Sequence, residues 1–92
     1  MTERIMTLHP QGKKGVHIAK AKYDAVKDAI LNILEEQEIV IFSELMELVG
    51  EKLPNFDGSI GWYTTSVKLD LEARDIIERL GNSSPQQIRL KN

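Results

Sequence analysis

The feature that most constrains the fold is a helical segment with apolar residues on two opposite sides. Between a turn at 55–58 and Arg74, apolar side chains recur every three or four residues, which is typical of a helix face. The expected core face is Ile60, Tyr63, Val67 and Leu71, and the opposite face is Trp62, Leu69 and Ala73. A chain of 92 residues buries only roughly 60–65% of its unfolded surface. Either N-terminal residues or another protein chain must therefore cover the second face.

The rest of the chain predicts two more helices and a hairpin. Apolar spacing predicts a first helix over about 19–36, and the β-branched run 39–42 predicts a short strand. A second helix is expected from Ser43, as its N-cap, to Pro54, and the third begins at a cap supplied by Asp57 or Ser59. Two short runs, 76–80 and 87–91, flank the turn formers of 81–86 and predict a β-hairpin. The predicted core is Val26, Ile30, Ile33, Leu34, Ile41, Leu45, Leu48, Val49, Val67, Leu71, Ile77, Ile88 and Leu90.

The order helix, strand, helix, helix, strand, wing, strand resembles a winged helix-turn-helix domain. The resemblance is most specific over residues 62–90, WYTTSVKLDLEARDIIERLGNSSPQQIRL. GKKGVHIAKAKYDAVKDAIL and GWYTTSVKLDLEAR are also similar to a family of small bacterial winged-helix proteins of unknown function. This resemblance implies a small α+β winged-helix domain over 19–92. His9-Pro10 and Gly12 disfavour a helix before it, so residues 1–18 are predicted to be an N-terminal arm. Asp75 stands where the pattern usually has glycine, so we expect it in the left-handed conformation.

The resemblance also implies a DNA-binding surface. In such domains the third helix enters the major groove and the wing contacts the backbone or minor groove. On this interpretation Thr64, Thr65 and Lys68 point outward beside Ser59, and cations come from the wing and arm. The residues concerned are Lys13, Lys14, Ser59, Thr64, Thr65, Lys68, Arg79, Arg89 and Lys91. The first hypothesis is a non-enzymatic transcriptional regulator or accessory protein that binds DNA as a homodimer.

The charge distribution weakens this hypothesis. Residues 1–22 carry five basic and one acidic side chain, whereas the remainder carries seven basic and thirteen acidic ones. The third helix has a net charge of −1, although neutralisation of phosphates dominates non-specific DNA affinity. The alternative hypothesis is a protein-interaction module that uses the Trp62, Leu69 and Ala73 face, with Trp62 as the anchor.

Several other classes of function receive no support from the sequence. The chain has no cysteine, which excludes disulfides and thiolate metal sites. No apolar run reaches the roughly 20 residues of a membrane helix, and we expect a cytoplasmic protein without membrane contact, metal or cofactor. His9 and His17 have no fixed acidic partner in sequence, and the run 57–61 has Asp where the first glycine of a nucleophile elbow belongs. We therefore expect no enzymatic activity.

Overall fold

Three helices and two small antiparallel sheets make up the α+β fold in the computed structural model, which describes residues 3–81 and 84–91. The elements are β1 (Arg4–Met6), β2 (His17–Ala19), α1 (Lys20–Gln37), β3 (Ile39–Ile41), α2 (Phe42–Lys52), α3 (Ile60–Ala73), β4 (Ile77–Leu80) and β5 (Gln87–Leu90). The three predicted helices and the C-terminal hairpin are confirmed. Most of their predicted ends lie within one or two residues of the observed ends.

The two sheets contain two local strand pairs, β1–β2 and β4–β5, and one pair that is distant in sequence, β3–β5. β1 pairs with β2, with Ile5 opposite Ile18. In the other sheet the strand order is β3-β5-β4, so that β5 lies in the middle, with Val40 and Arg79 on either side of Ile88. The last strand of the chain therefore pairs with the strand that precedes α2, which closes the domain.

The core lies between the three helices and the inner face of the β3-β5-β4 sheet. Ten of the thirteen predicted core residues are buried, and Ile41, Leu48 and Leu90 are half-buried. The prediction chose the wrong residue in β3, where Val40 is buried and Ile41 is not. Side chains alternate between the two faces of a strand. When Val40 points into the core, its neighbours Ile39 and Ile41 must therefore point away from it. Ile18, Tyr23 and Ala29 complete the buried set.

The start of α2 differs from the prediction. The helix begins at Phe42, the extended residue Ile41 occupies the N-cap position, and no side chain caps this end. Phe42 instead donates its backbone N–H to the carbonyl of Gln86, at 2.9 Å. Ser43 is exposed and is not the cap, because this tertiary hydrogen bond fixes the strand-to-helix junction without it.

Both ends of α3 follow local sequence signals. Ser59 is the N-cap, and its hydroxyl accepts from the Trp62 backbone N–H at 3.2 Å. At the other end Asp75 has φ of +61°, as expected. The N–H of Asp75 binds the carbonyl of Glu72, and that of Ile76 binds the carbonyl of Leu71. These are the two hydrogen bonds of a Schellman motif.

Residues 3–19, which we call the N-terminal segment, contain the β1–β2 hairpin and are folded back against α1. Beyond the β1–β2 pairing, the Thr7 N–H donates to the Val16 carbonyl at 2.8 Å, and the Val16 N–H donates to the Thr7 hydroxyl at 2.9 Å. Gly15 is required beside Thr7, because an added Cβ would lie 1.8 Å from the Thr7 carbonyl oxygen. β2 continues directly into α1, so the hairpin is rigidly connected to the first helix.

We expect Asp75→Gly to stabilise the protein by up to about 1 kcal/mol, because glycine adopts positive φ without a Cβ penalty. The exposed ion pair of Asp75 with Lys91 offsets little of this gain. Thermal denaturation should show a higher Tm. The control is Gly81→Ala, at φ +67° with no atom within 4 Å of the added Cβ, which should lower Tm. A Tm of Asp75→Gly at or below that of the wild type would contradict this account of the helix end.

Candidate functional site

α3 is the element around which the candidate site is built, and it is covered on most sides. Of its residues only Trp62 is exposed, with 46% of its surface accessible. Val67 and Leu71 are fully buried against the core. Thr65, Leu69 and Ala73 are half-buried and lie on the same side as Trp62. We call these four residues the outer face of α3. They are uncharged, and Trp62 is the most accessible of them.

One flank of α3 is occupied by a buried lysine. Lys68 is 4% exposed, and its ammonium lies 2.5 Å from the Glu72 carboxylate and 2.9 Å from Oε1 of Gln86. The same ammonium lies 5.1 Å from the centre of the Phe42 ring, a cation–π distance. Lys68 therefore joins α3 to the start of α2 and to the residue before β5.

The prediction that Thr64 and Lys68 point outward is wrong. Thr64 is fully buried, because it lies on the core face, one turn before Val67 and two turns before Leu71. Its hydroxyl has no hydrogen-bond partner among the described residues. Lys68 lies beside this face, where Glu72 neutralises it. Thr65 remains partly accessible, but its hydroxyl donates to the carbonyl of Gly61 at 2.8 Å.

The opposite flank of α3 carries a buried acid. Asp70 is fully buried, and one carboxylate oxygen accepts from the Leu8 backbone N–H at 2.8 Å. The other oxygen accepts from the Tyr23 hydroxyl and from Nε of Arg74, at 2.9 Å for Arg74. Burial of the Tyr23 hydroxyl and its hydrogen bond to Asp70 raise the pKa of Tyr23 above its ordinary value. The hydrogen bond to Asp70 likewise raises the pKa of Arg74.

Asp70 holds the N-terminal segment against α3. Leu8, His9, Lys14 and Val16 border a shallow cavity of about 70 Å³, together with Ser66 and Leu69 of α3. Part of the second apolar face is thus covered by this chain itself. Trp62 is left exposed, and so is Leu8, at 45%. The N-terminal segment therefore covers one edge of the outer face and leaves the side of Trp62 open.

Three of the predicted DNA-contacting cations, Lys68, Arg89 and Lys91, are neutralised by ion pairs. Arg89 pairs with Glu78 at 2.7 Å, and Lys91 pairs with Asp75 at 3.0 Å. Lys13 and Lys14 are exposed, and the described residues provide no ion-pair partner for them. Arg79 is exposed on β4. The hydroxyl of Ser59 is occupied as the cap of α3.

Aromatic rings extend the site toward the turn before α3. The ring centroids of Trp62 and Tyr63 are 4.9 Å apart, and those of Tyr63 and Phe56 are 5.0 Å apart, both in edge-to-face geometry. Lys22 lies over the Phe56 and Tyr63 rings, at 5.9 Å and 5.4 Å. Gly58 is required here, because an added Cβ would approach Tyr63 to 2.7 Å. The Trp62 ring therefore packs against Tyr63, which in turn packs against Phe56.

Neither a metal site nor a membrane-spanning helix occurs in the described part of the chain. Residues 3–81 and 84–91 contain no group of three or more His, Asp or Glu side chains able to hold a metal ion. None of the helices described is long and apolar enough to cross a membrane. The buried charged side chains, Asp70 and Lys68, are engaged by other parts of the chain, so the accessible part of the site is the outer face of α3.

Most of the chain matches a known protein family. Residues 4–88 match the family described as "Family of unknown function (DUF6958)". The chain belongs to this family. The matched region extends from the first residue of β1 into β5, so it includes the N-terminal hairpin as well as the three helices. No curated protein and no solved structure matches the chain.

Sequence reasoning missed the residues that cover the two flanks of α3. Asp70 lies one turn after Val67, so the sequence shows only that a carboxylate stands beside the apolar core face of the helix. Its partners Tyr23 and Leu8 are 47 and 62 residues away, and no local pattern connects them. The sequence places Gln86 in the turn of the C-terminal hairpin and gives no indication of its contact with Lys68.

Replacing Tyr23 by Phe tests the Asp70 network. We expect the free energy of unfolding to fall by roughly 1.5–3 kcal/mol at pH 8, since a hydrogen bond to a buried carboxylate is lost. Above about pH 10 the tyrosine of the unfolded chain ionises, while folded Tyr23, whose pKa is raised, stays neutral. The wild type then loses about 1.4 kcal/mol per pH unit relative to the variant. Urea denaturation at pH 8 and pH 11 should show the difference shrinking, and a constant difference would contradict the network.

Proposed function

We propose that this protein is a non-enzymatic binding module built on a winged helix-turn-helix scaffold, and that it docks a protein partner on the outer face of α3. Residues 20–91 support the scaffold through the order α1-β3-α2-α3-β4-β5 and the strand order β3-β5-β4. α2 and α3 form the helix-turn-helix, and the β4–β5 hairpin forms the wing.

The observation that carries the protein-binding proposal is the chemical character of the accessible strip of α3. Trp62, Thr65, Leu69 and Ala73 form a neutral surface with one half-exposed aromatic ring. Tryptophan is enriched among the residues that contribute most to protein–protein affinity. A helix that enters a DNA groove instead gains affinity from cations, because each neutralised phosphate releases counterions. Lys68, the one cation within α3, is buried and paired with Glu72, so it adds no positive charge to the outer face.

DNA binding is the second candidate function, and one observation favours it. Lys13 and Lys14 are exposed, and Lys14 borders α3 at Ser66 and Leu69. These two lysines offer a phosphate contact beside the helix. Two cations predict weak binding whose affinity falls by only about tenfold as salt rises from about 50 to 200 mM. Fluorescence anisotropy with a labelled duplex tests this candidate, with Lys13→Ala/Lys14→Ala compared against Lys27→Ala/Lys52→Ala.

The protein-binding proposal is tested by site-specific photo-crosslinking in the native cells. A benzophenone amino acid at Thr65 lies on the outer face, whereas the same group at exposed Ser43 lies on α2 and serves as the matched control. We expect protein adducts from position 65 and none of the same mass from position 43. Adducts with nucleic acid at position 65, or identical adducts from both positions, would contradict the proposal.

A further inference from the structure

The outer face of α3 has a large side chain, Trp62, near one end and a small one, Ala73, at the other. Trp62 lies near the start of the helix and Ala73 at its end, about 16 Å apart at 1.5 Å per residue. Thr65 and Leu69 lie between them, close to the midpoint. If two such helices packed antiparallel about that midpoint, the large Trp62 of each would face the small Ala73 of the other. The same surface would then be used twice, as a two-fold symmetric interface requires.

From this self-complementarity we propose that the partner docked on the outer face of α3 is a second copy of this chain, packed with its α3 antiparallel to the first. The inference rests on the proposed function, because it names the partner of the same face. Since the outer face carries no charge, pairing it with itself brings no like charges together. Antiparallel packing also places the positive end of each helix dipole beside the negative end of the other.

The extent of this surface sets the expected affinity. The outer face consists of four side chains along about 16 Å of one helix, and three of them are half-buried. Its accessible area is therefore smaller than the roughly 800 Å² that each partner buries in a standard interface. Leu8 borders Leu69 and is 45% exposed, so the N-terminal segment enlarges the interface on one side of each helix. A dimer of this size should dissociate in the micromolar range, on the order of 10–100 μM, which makes monomer and dimer measurable in one dilution series.

The natural fluorescence of the protein reports on the proposed interface. Trp62 is the single tryptophan of the chain, and it lies at the end of the outer face. We expect its emission maximum to shift to shorter wavelength as protein concentration rises through the dissociation constant. Sedimentation equilibrium should show the mass rising over the same range from 10.4 kDa to twice that value. The dissociation constant should change less than about threefold between 50 and 200 mM salt, because the face is neutral.

Charge-matched variants separate this interface from any other. Trp62→Arg should remain monomeric at concentrations at which the wild type is dimeric. Gln37→Arg adds the same charge at an exposed position of α1 and should dimerise like the wild type. Thr65→Arg provides a second test on the outer face should circular dichroism show that Trp62→Arg is unfolded. A monomeric wild type at 500 μM, or dimerisation of both folded outer-face variants, would overturn the inference.

Single cysteines test the antiparallel orientation, because the chain has none of its own. Under mild oxidation Leu69→Cys should form a covalent dimer, since the two copies of position 69 lie near the midpoint. Ala73→Cys should not, because its copies would lie about 16 Å apart, beyond the reach of a disulfide. Efficient cross-linking at both positions would indicate parallel helices and contradict the proposal. If the wild type is monomeric and benzophenone at Thr65 captures a different protein, the inference fails and the proposed function stands.

Discussion

The carboxylate of Asp70 is fully buried and accepts hydrogen bonds from groups in three parts of the chain. Leu8 supplies a backbone N–H from the N-terminal segment, Tyr23 a hydroxyl from α1, and Arg74 its guanidinium from the end of α3. A buried charge is costly unless it is paired and hydrogen-bonded. The position of the N-terminal segment against α3 is therefore coupled to the stability of the helix pair, and loss of any one donor leaves part of this charge unsatisfied.

Lys68 likewise connects the other flank of α3 to distant parts of the chain. Its ammonium binds Glu72 and Gln86 and lies over Phe42, which joins α3 to the β3–α2 junction and to β5. With Asp70 on one side and Lys68 on the other, the charged groups nearest the middle of α3 face inward. The strip that remains accessible is neutral and includes Trp62. This arrangement is the reason why we propose docking of a protein on α3 rather than insertion of α3 into a DNA groove.

The parts of the fold that were predictable from sequence are those set by local chemistry. The apolar stripe of α1, the Ser59 cap, the positive φ of Asp75 and the C-terminal hairpin each depend on residues within a few positions of one another. Local patterns did not decide between Val40 and Ile41, because both are apolar and only the pairing with β5 selects the buried one. The start of α2 at Phe42 likewise depends on a hydrogen bond to Gln86, 44 residues away in sequence.

The candidate site was harder to predict, because long-range contacts determine which side of α3 is accessible. The opposition of Trp62, Leu69 and Ala73 to the core face was readable from helical spacing. The inward orientation of Lys68 and Asp70 was not, since it depends on Gln86, Phe42, Tyr23 and Leu8. Each of these lies in another part of the chain, outside α3.

Hydrogen exchange at the Leu8 amide tests the central claim most directly. Leu8 lies outside the regular strands, so its backbone N–H is protected only if it binds Asp70. We predict slow exchange of this amide in the wild type, comparable to that of amides within α3, and fast exchange in Asp70→Ala while the Val67 amide stays protected. Exchange of the wild-type Leu8 amide at the rate of an unstructured peptide would show that the N-terminal segment is not held on α3.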